Sequence, residues 1–216
     1  MYRKGYNYTP EKLQNMSAMS DPGEIERALQ MVGDLLDGRR QRYHVVVIGG
    51  SALNLLGLVS RATTDVDVLA FAQPDSTGTL RLRPPDEPFP PDLVAAVTTV
   101  AQDLGMDPRW LNAGPASQWK TGLPTGLAER VVWRDFGGLA VGLVSRYDLI
   151  FFKLYAAADD RGPTSVHFQD LVALRPTHDE LERAGDWVRS QDPSPAFAKD
   201  LAEVLKHART IAGRSR

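Results

Sequence analysis

Residues 43–71 read YHVVVIGGSALNLLGLVSRATTDVDVLAF, and the rest of the chain is organised around this stretch. Val45, Val46, Val47 and Ile48 make an apolar, β-branched run of strand length, so a buried strand is expected there. It stops at Gly49-Gly50-Ser51, and Ala52, Leu53, Leu55 and Leu56 continue as a short helical pattern. A glycine turn feeding a helix exposes backbone N–H groups at the positive end of the helix dipole, where a phosphate can rest. Asp65-Val66-Asp67 follows within an expected second strand, Thr63 to Phe71. Alternation along a strand puts Asp65 and Asp67 on one face, roughly 7 Å apart. Two carboxylates held that close repel unless a cation lies between them. Carboxylates beside a phosphate suit Mg²⁺, which takes oxygen ligands and keeps part of its shell for water and substrate.

Gly49-Gly50-Ser51, a short spacer and then Asp65-x-Asp67 resemble the signature of the polymerase-β-type nucleotidyltransferases. The resemblance implies that the turn holds the triphosphate of an NTP and that both aspartates hold catalytic metal, Mg²⁺ or Mn²⁺. The stretch also looks superficially like a dinucleotide-binding turn. It lacks the G-x-G-x-x-G spacing, and its acids fall too early for a ribose-binding position about 20 residues on.

With 216 residues, the chain has room for one good-sized domain or a smaller one with a helical appendage. A hydrophobic content of 43% and a charged content of 24% are those of a globular protein. The absence of cysteine excludes disulfides, thiolate zinc sites and cysteine nucleophiles, and fits a reducing compartment. No apolar run is long enough to span a bilayer, and the start MYRKGYNYTPEKLQNMSAMS has no signal-peptide core. A cytoplasmic protein without a membrane partner is expected. A net charge of −2 gives no global attraction to nucleic acid, so an RNA partner would need a local basic patch.

In chain order, residues 1–23 read as a loose arm. Glu24 to Arg42 is a helical pattern, with Arg39, Arg40 and Arg42 crowding its C-terminal end. AQPDSTGTLRLRPPDEPFPPD reads as a long loop, in which Arg81 and Arg83 either steer a nucleotide or RNA or are simply solvated. Pro90-Pro91-Asp92 opens a helix that ends at Gly105. Glu129–Trp133 and Leu139–Val144 read as a hairpin around Arg134 to Gly138. Its Asp135 is either a turn residue or the third carboxylate that the superfamily often takes from a later strand. From Arg146 the pattern is helical, and Lys153 is the one base in an apolar run from Leu149 to Ala158. Such a lysine either snorkels to water or meets a specific anion. Thr177 to Glu180 has the pattern of a capping box, and Phe197 to Ile211 gives a last amphipathic helix. Lys199, Lys206, His207, Arg209, Arg214 and Arg216 gather there, as a solvated face or an RNA contact.

DLIFFKLYAAADDR followed by HFQDLVAL is similar to the downstream motif of the AbiEii-type nucleotidyltransferases, a group that includes small bacterial toxins. The K…R…D-L pattern maps onto Lys153, Arg161 and Asp170. This implies a triphosphate ligand at Lys153 and a supporting carboxylate at Asp170 that positions Lys153 or activates the acceptor. Arg61 matches an arginine that precedes the aspartates in such sequences. Val166-His167 departs from relatives that carry a basic residue before the histidine. The expected fold is α/β (α+β): a mixed sheet flanked by helices over residues 24–145 and a helical C-terminal half over 146–216. The expected activity is metal-dependent transfer of an NMP from an NTP to an acceptor hydroxyl. Its site would comprise Asp65, Asp67, Lys153 and Asp170, with Gly49, Gly50, Ser51 and Arg61 at the nucleotide. The resemblance implies a toxin-like enzyme acting on tRNA or another macromolecule, with a cognate antitoxin as partner. The alternatives are a non-catalytic binding module on the same fold and a small-molecule (antibiotic-modifying) transferase.

Overall fold

The computed structural model describes residues 22–160 and 162–214. The expected arm up to residue 21, together with Arg161 and Arg216, lies outside the described residues. The N-terminal part runs α1 (Pro22–Gly38), β1 (Tyr43–Ile48), α2 (Gly49–Leu55), β2 (Val66–Pro74), β3 (Leu80–Arg83), α3 (Pro91–Leu104) and β4 (Leu111–Asn112). Two 3₁₀ turns, Gly114–Lys120 and Ala128–Arg130, lead to the hairpin β5 (Val132–Phe136) and β6 (Leu139–Leu143). Helices follow: α4 (Arg146–Asp159), α5 (Val166–Ala173), α6 (His178–Gln191) and α7 (Pro195–Arg214).

The sheet is mixed, with order β3-β2-β1-β6-β5, and β4 pairs with β2 at Val66 and Asp67, on the side away from β1. β1 lies in the middle, antiparallel to β2 and parallel to β6, so Val45, Val46 and Val47 are fully buried. That explains their unbroken apolar run, because a strand covered on both faces has no polar side to alternate with. α1 packs on β5 and β6 and against α2 and α3, while α4 packs against α5, α6 and α7. The architecture is thus the expected mixed sheet flanked by helices, followed by a helical half. Among the described residues, no helix is long and apolar enough to cross a membrane.

Local signals account for several helix ends. α3 starts on a proline and ends at Gly105 in the left-handed conformation. Thr177 and Glu180 form the full capping box of α6, and Ser145 caps α4 by accepting the Asp148 N–H.

Four local expectations need correction. α1 stops at Gly38, and Arg40 takes a φ of 57°, so the arginines follow the helix instead of closing it. Arg39 donates to the Asp92 carbonyl and Arg42 pairs with Asp135. The proline-rich segment is not all loop. Asp75 Oδ1 accepts from the backbone N–H groups of Thr77 and Thr79 and folds a tight turn into β3. This edge strand's Arg81 pairs with Asp75, and its Arg83 pairs with Asp86. Both arginines are therefore held by carboxylates of their own segment. β5 begins at Val132, three residues beyond the expected Glu129, because Ala128–Arg130 closes a 3₁₀ turn first. Finally, β2 begins at Val66, which leaves Asp65 on the entry to the strand and only Asp67 inside it.

Candidate active site

Asp67 is flanked in the sheet by Ile48 of β1 on one side and Asn112 of β4 on the other. This places its carboxylate at the C-terminal mouth of β1, where the chain turns through Gly49 and Gly50. Gly49 has a φ of 78°, and a Cβ there would lie 2.5 Å from Asp67 Oδ2. At Gly50 a Cβ would lie 2.9 Å from Arg61 Nη2. The two glycines let a carboxylate and a guanidinium close directly onto the turn, which side chains there would prevent.

Arg61 is fixed at both ends. Its backbone is clamped by the buried side chain of Asn54, whose Nδ2 donates to Arg61 O (2.7 Å) while Oδ1 accepts from Arg61 N (3.3 Å). Its guanidinium forks onto Asp170 through Nε–Oδ1 (3.0 Å) and Nη2–Oδ2 (2.9 Å). Lys153 Nζ reaches the same carboxylate at 2.7 Å. Lys153 is only 4% exposed and Asp170 only 2%, so the lysine does not snorkel to water. Its ammonium ends in a buried carboxylate shared with Arg61. Burial pushes Asp170 up, but the Arg61 hydrogen bonds and the Lys153 charge outweigh it and hold the group below the usual carboxylate value.

Asp67 behaves in the opposite way. Burial, then repulsion from Asp65, push it up to about 6, against the Asn112 hydrogen bond and the Lys153 charge. Asp65 accepts from Thr63 Oγ1 at 3.4 Å. Asp65 and Asp67 therefore form an acidic pair with excess negative charge, next to an Asp170 whose charge is fully met. Among the described residues, no group of three or more His, Asp or Glu side chains could hold a metal. Two carboxylates, with water and phosphate completing the shell, nevertheless suit Mg²⁺.

A cavity of about 300 Å³ joins these groups, lined by Gly49, Gly50, Arg61, Asp65, Asp67 and Lys153 among others. Of the carboxylates and turn residues singled out in the sequence, Ser51, Asp170 and Asp135 do not line it. Ser51 is fully buried and its hydroxyl donates to the Ile48 carbonyl, so it shapes the turn from behind. Asp170 stands behind Lys153 and Arg61. Asp135 lies on β5, at the far edge of the sheet, exposed and paired with Arg42 at 2.6 Å. It is a hairpin residue that also accepts from Gly137 N. Sequence reasoning missed Asn112 and Asn54, both amides. No motif spacing marks them, since each acts through a partner brought in by the fold.

His167, at the start of α5, also faces this cavity. Burial and then the Lys153 charge lower its pKa, so the imidazole is neutral near pH 7.

A glycine turn, an acidic pair at the mouth of a central strand and two cations thus line one cavity. The chain belongs to the family described as nucleotidyltransferase of unknown function (DUF6036), whose model matches residues 26–172. That span includes every residue of the cavity. A crystal structure of an antigenic nucleotidyltransferase-like protein from Paracoccidioides brasiliensis is 14% identical over 87% of this chain and 95% of that chain, with a TM-score of 0.38. No curated protein matches the chain.

Proposed function

We propose that the protein is a metal-dependent nucleotidyltransferase that moves an NMP from an NTP to an acceptor hydroxyl and releases pyrophosphate. The supporting observation is the meeting, in one cavity, of the Asp65–Asp67 pair with Lys153, Arg61 and the Gly49–Gly50 turn. Asp65 and Asp67 would hold Mg²⁺ or Mn²⁺, which when bound supplies Lewis-acid stabilisation of charge on the phosphoryl oxygens. Lys153 and Arg61 offset the charge of the β- and γ-phosphates and of the departing pyrophosphate. Gly49 and Gly50 let the phosphates approach the backbone. Asp170 keeps both cations aimed into the cavity, which is the positioning role its buried contacts support. The acceptor oxygen attacks the α-phosphorus and gives up its proton to water, the bond from the α-phosphorus to the bridging oxygen breaks as pyrophosphate leaves, and catalysis is mostly orientation and electrostatics.

The finer reading is an AbiEii-like, toxin-type enzyme that modifies tRNA or another macromolecule and is opposed by a cognate antitoxin. Its support is the resemblance of the block around Lys153 and Asp170. Lys199, Lys206, His207 and Arg209 are exposed on α7, interleaved with Asp200 and Glu203, so any RNA footprint there is of mixed sign.

The test is incubation with each labelled NTP, Mg²⁺ and either total RNA or a protein extract. Label is expected in one macromolecular fraction and absent with Asp65→Asn or Asp67→Asn. Label on a small molecule would redirect the acceptor assignment. Nucleotide binding without any transfer would make the protein a binding module.

A further inference from the structure

β4 is only two residues long, Leu111 and Asn112, yet it is firmly set. It pairs in parallel with β2, so Asn112 stands directly opposite Asp67. Just before it, Trp110 is 1% exposed, and its Nε1 donates to the Val97 carbonyl of α3 at 3.2 Å. The Trp110 carbonyl in turn accepts from Val66 N. The Asn112 amide then meets two partners. Its Oδ1 accepts from Gly114 N at 2.7 Å, and it hydrogen-bonds to Asp67. A carboxylate accepts, so the second bond uses Nδ2, the donor of the amide. Turning the amide over would set donor against donor at Gly114 and acceptor against acceptor at Asp67, so the two partners fix one orientation. The two oxygens of Asp67 are also distinct. Oδ2 is the one beside the glycine turn, 2.5 Å from where a Cβ on Gly49 would lie. Oδ1 is turned towards Asn112: a Cβ on Gly114 would lie 2.9 Å from Asn112 Oδ1 and 3.9 Å from Asp67 Oδ1. Asn112 does not line the phosphate cavity, so what it contributes there goes through Asp67.

We infer that Asn112 is a positioning residue for the metal site, holding Asp67 by Oδ1 so that Oδ2 faces the cation and the phosphates at the glycine turn. The inference rests on the metal-dependent transfer reading and adds the residue that aims one of the ligands. A free carboxylate rotates about its Cβ–Cγ bond and offers either oxygen or both. Held by one oxygen, it presents the other at a fixed angle and loses less freedom when a metal arrives. Asp65 is held by less, since its contact from Thr63 Oγ1 is 3.4 Å long. One ligand is thus aimed and the other adjustable.

The experiment is titration of the full chain with Mn²⁺, alone and with inorganic tripolyphosphate, followed by water-proton relaxation, which reports bound Mn²⁺ without turnover. Tripolyphosphate affinity is measured separately in EDTA. Asn112→Ala should weaken Mn²⁺ binding by about tenfold or more, the usual effect of removing a hydrogen-bond partner of a metal ligand, and leave tripolyphosphate affinity in EDTA unchanged. In transfer, kcat should fall and the Mg²⁺ requirement rise, while KM for the NTP stays near the wild-type value. Asn112→Ser, which keeps a donor on a shorter arm, should recover part of the Mn²⁺ affinity. Wild-type Mn²⁺ affinity in Asn112→Ala would overturn the positioning role and leave the transferase reading standing. Loss of Mn²⁺ and tripolyphosphate binding together in both variants would make the role purely structural and overturn it too. Absence of bound Mn²⁺ in the wild type under both conditions would overturn the metal-dependent reading as well.

Discussion

Lys153 Nζ lies 2.7 Å from the carboxylate of Asp170, and both side chains are almost wholly buried. The pair is thus structural as well as chemical, and its two roles are separable. In Lys153→Met, Asp170 still has its Arg61 fork, so the expected destabilisation is about 1–3 kcal/mol, less than the ~3–5 kcal/mol of a stranded buried charge. Adding Asp170→Asn should restore part of that stability without restoring nucleotide binding. Chemical denaturation and NTP titration on the single and double variants check this. Wild-type nucleotide affinity in Lys153→Met would remove the lysine from the phosphate site.

The acidic pair predicts a pH dependence. Asp67 is pushed up to about 6 in the folded protein, against 3.8 for an unperturbed aspartate, so the unfolded chain releases this proton first. Between those values the unfolded state binds fewer protons, and the contribution of Asp67 to stability falls as pH rises. Above pH 6 the penalty is complete, about 3 kcal/mol as an upper limit. In EDTA, Asp67→Asn should therefore be more stable than wild type at pH 7.5 (roughly neutral conditions), and the difference should vanish near pH 4 (about the unfolded value). Mg²⁺ with nucleotide should stabilise wild type and not the variant. A variant less stable than wild type at neutral pH in EDTA would count against the strained-pair account.

Gly49 and Gly57 both have positive φ, 78° and 68°, but only Gly49 has a neighbour where a Cβ would go. Gly57→Ala should cost only backbone strain, about 1 kcal/mol. Gly49→Ala should cost about 1–3 kcal/mol, because it also pushes against Asp67. It should abolish transfer even where the protein remains folded. Parallel melts and turnover assays distinguish the two, and equal loss of activity in both variants would contradict the argument.

Asp135 supplies a negative control. Both Asp135 and its partner Arg42 are largely exposed, so Asp135→Ala should leave the melting temperature essentially unchanged and transfer at the wild-type rate. A large loss of turnover would return it to the list of metal ligands.

Much of this was legible in the sequence where the signal is local. The β-branched run, the glycine turn, the Gly105 helix end and the Thr177–Glu180 box each depend on neighbours a few residues apart. The proline count of the segment after Phe71 concealed β3, although Asp75 and Gly78 carry the turn that makes it. Strand alternation put Asp65 and Asp67 on one face, but Asp65 precedes the strand, and its relation to Asp67 is set by Thr63 and the entry loop. Arg61 and Asp170 were each recognisable from a motif. That they grip one another across 109 positions is tertiary, and no spacing rule contains it. The orientation of Ser51 was illegible for a related reason: its hydroxyl turns inward to the Ile48 carbonyl.

The carboxylate of Asp170 interlocks material from both parts of the chain, since Arg61 precedes β2 while Lys153 and Asp170 belong to α4 and α5. A chain divided at the Val144–Ser145 junction would leave the acidic pair and Arg61 on one piece, and Lys153 with its counter-charge on the other. Neither piece alone has a complete anion cradle. Mixing them should restore nucleotide binding at a rate that depends on the concentration of both, so the site lends itself to fragment complementation, with docking of the helical piece as the switch.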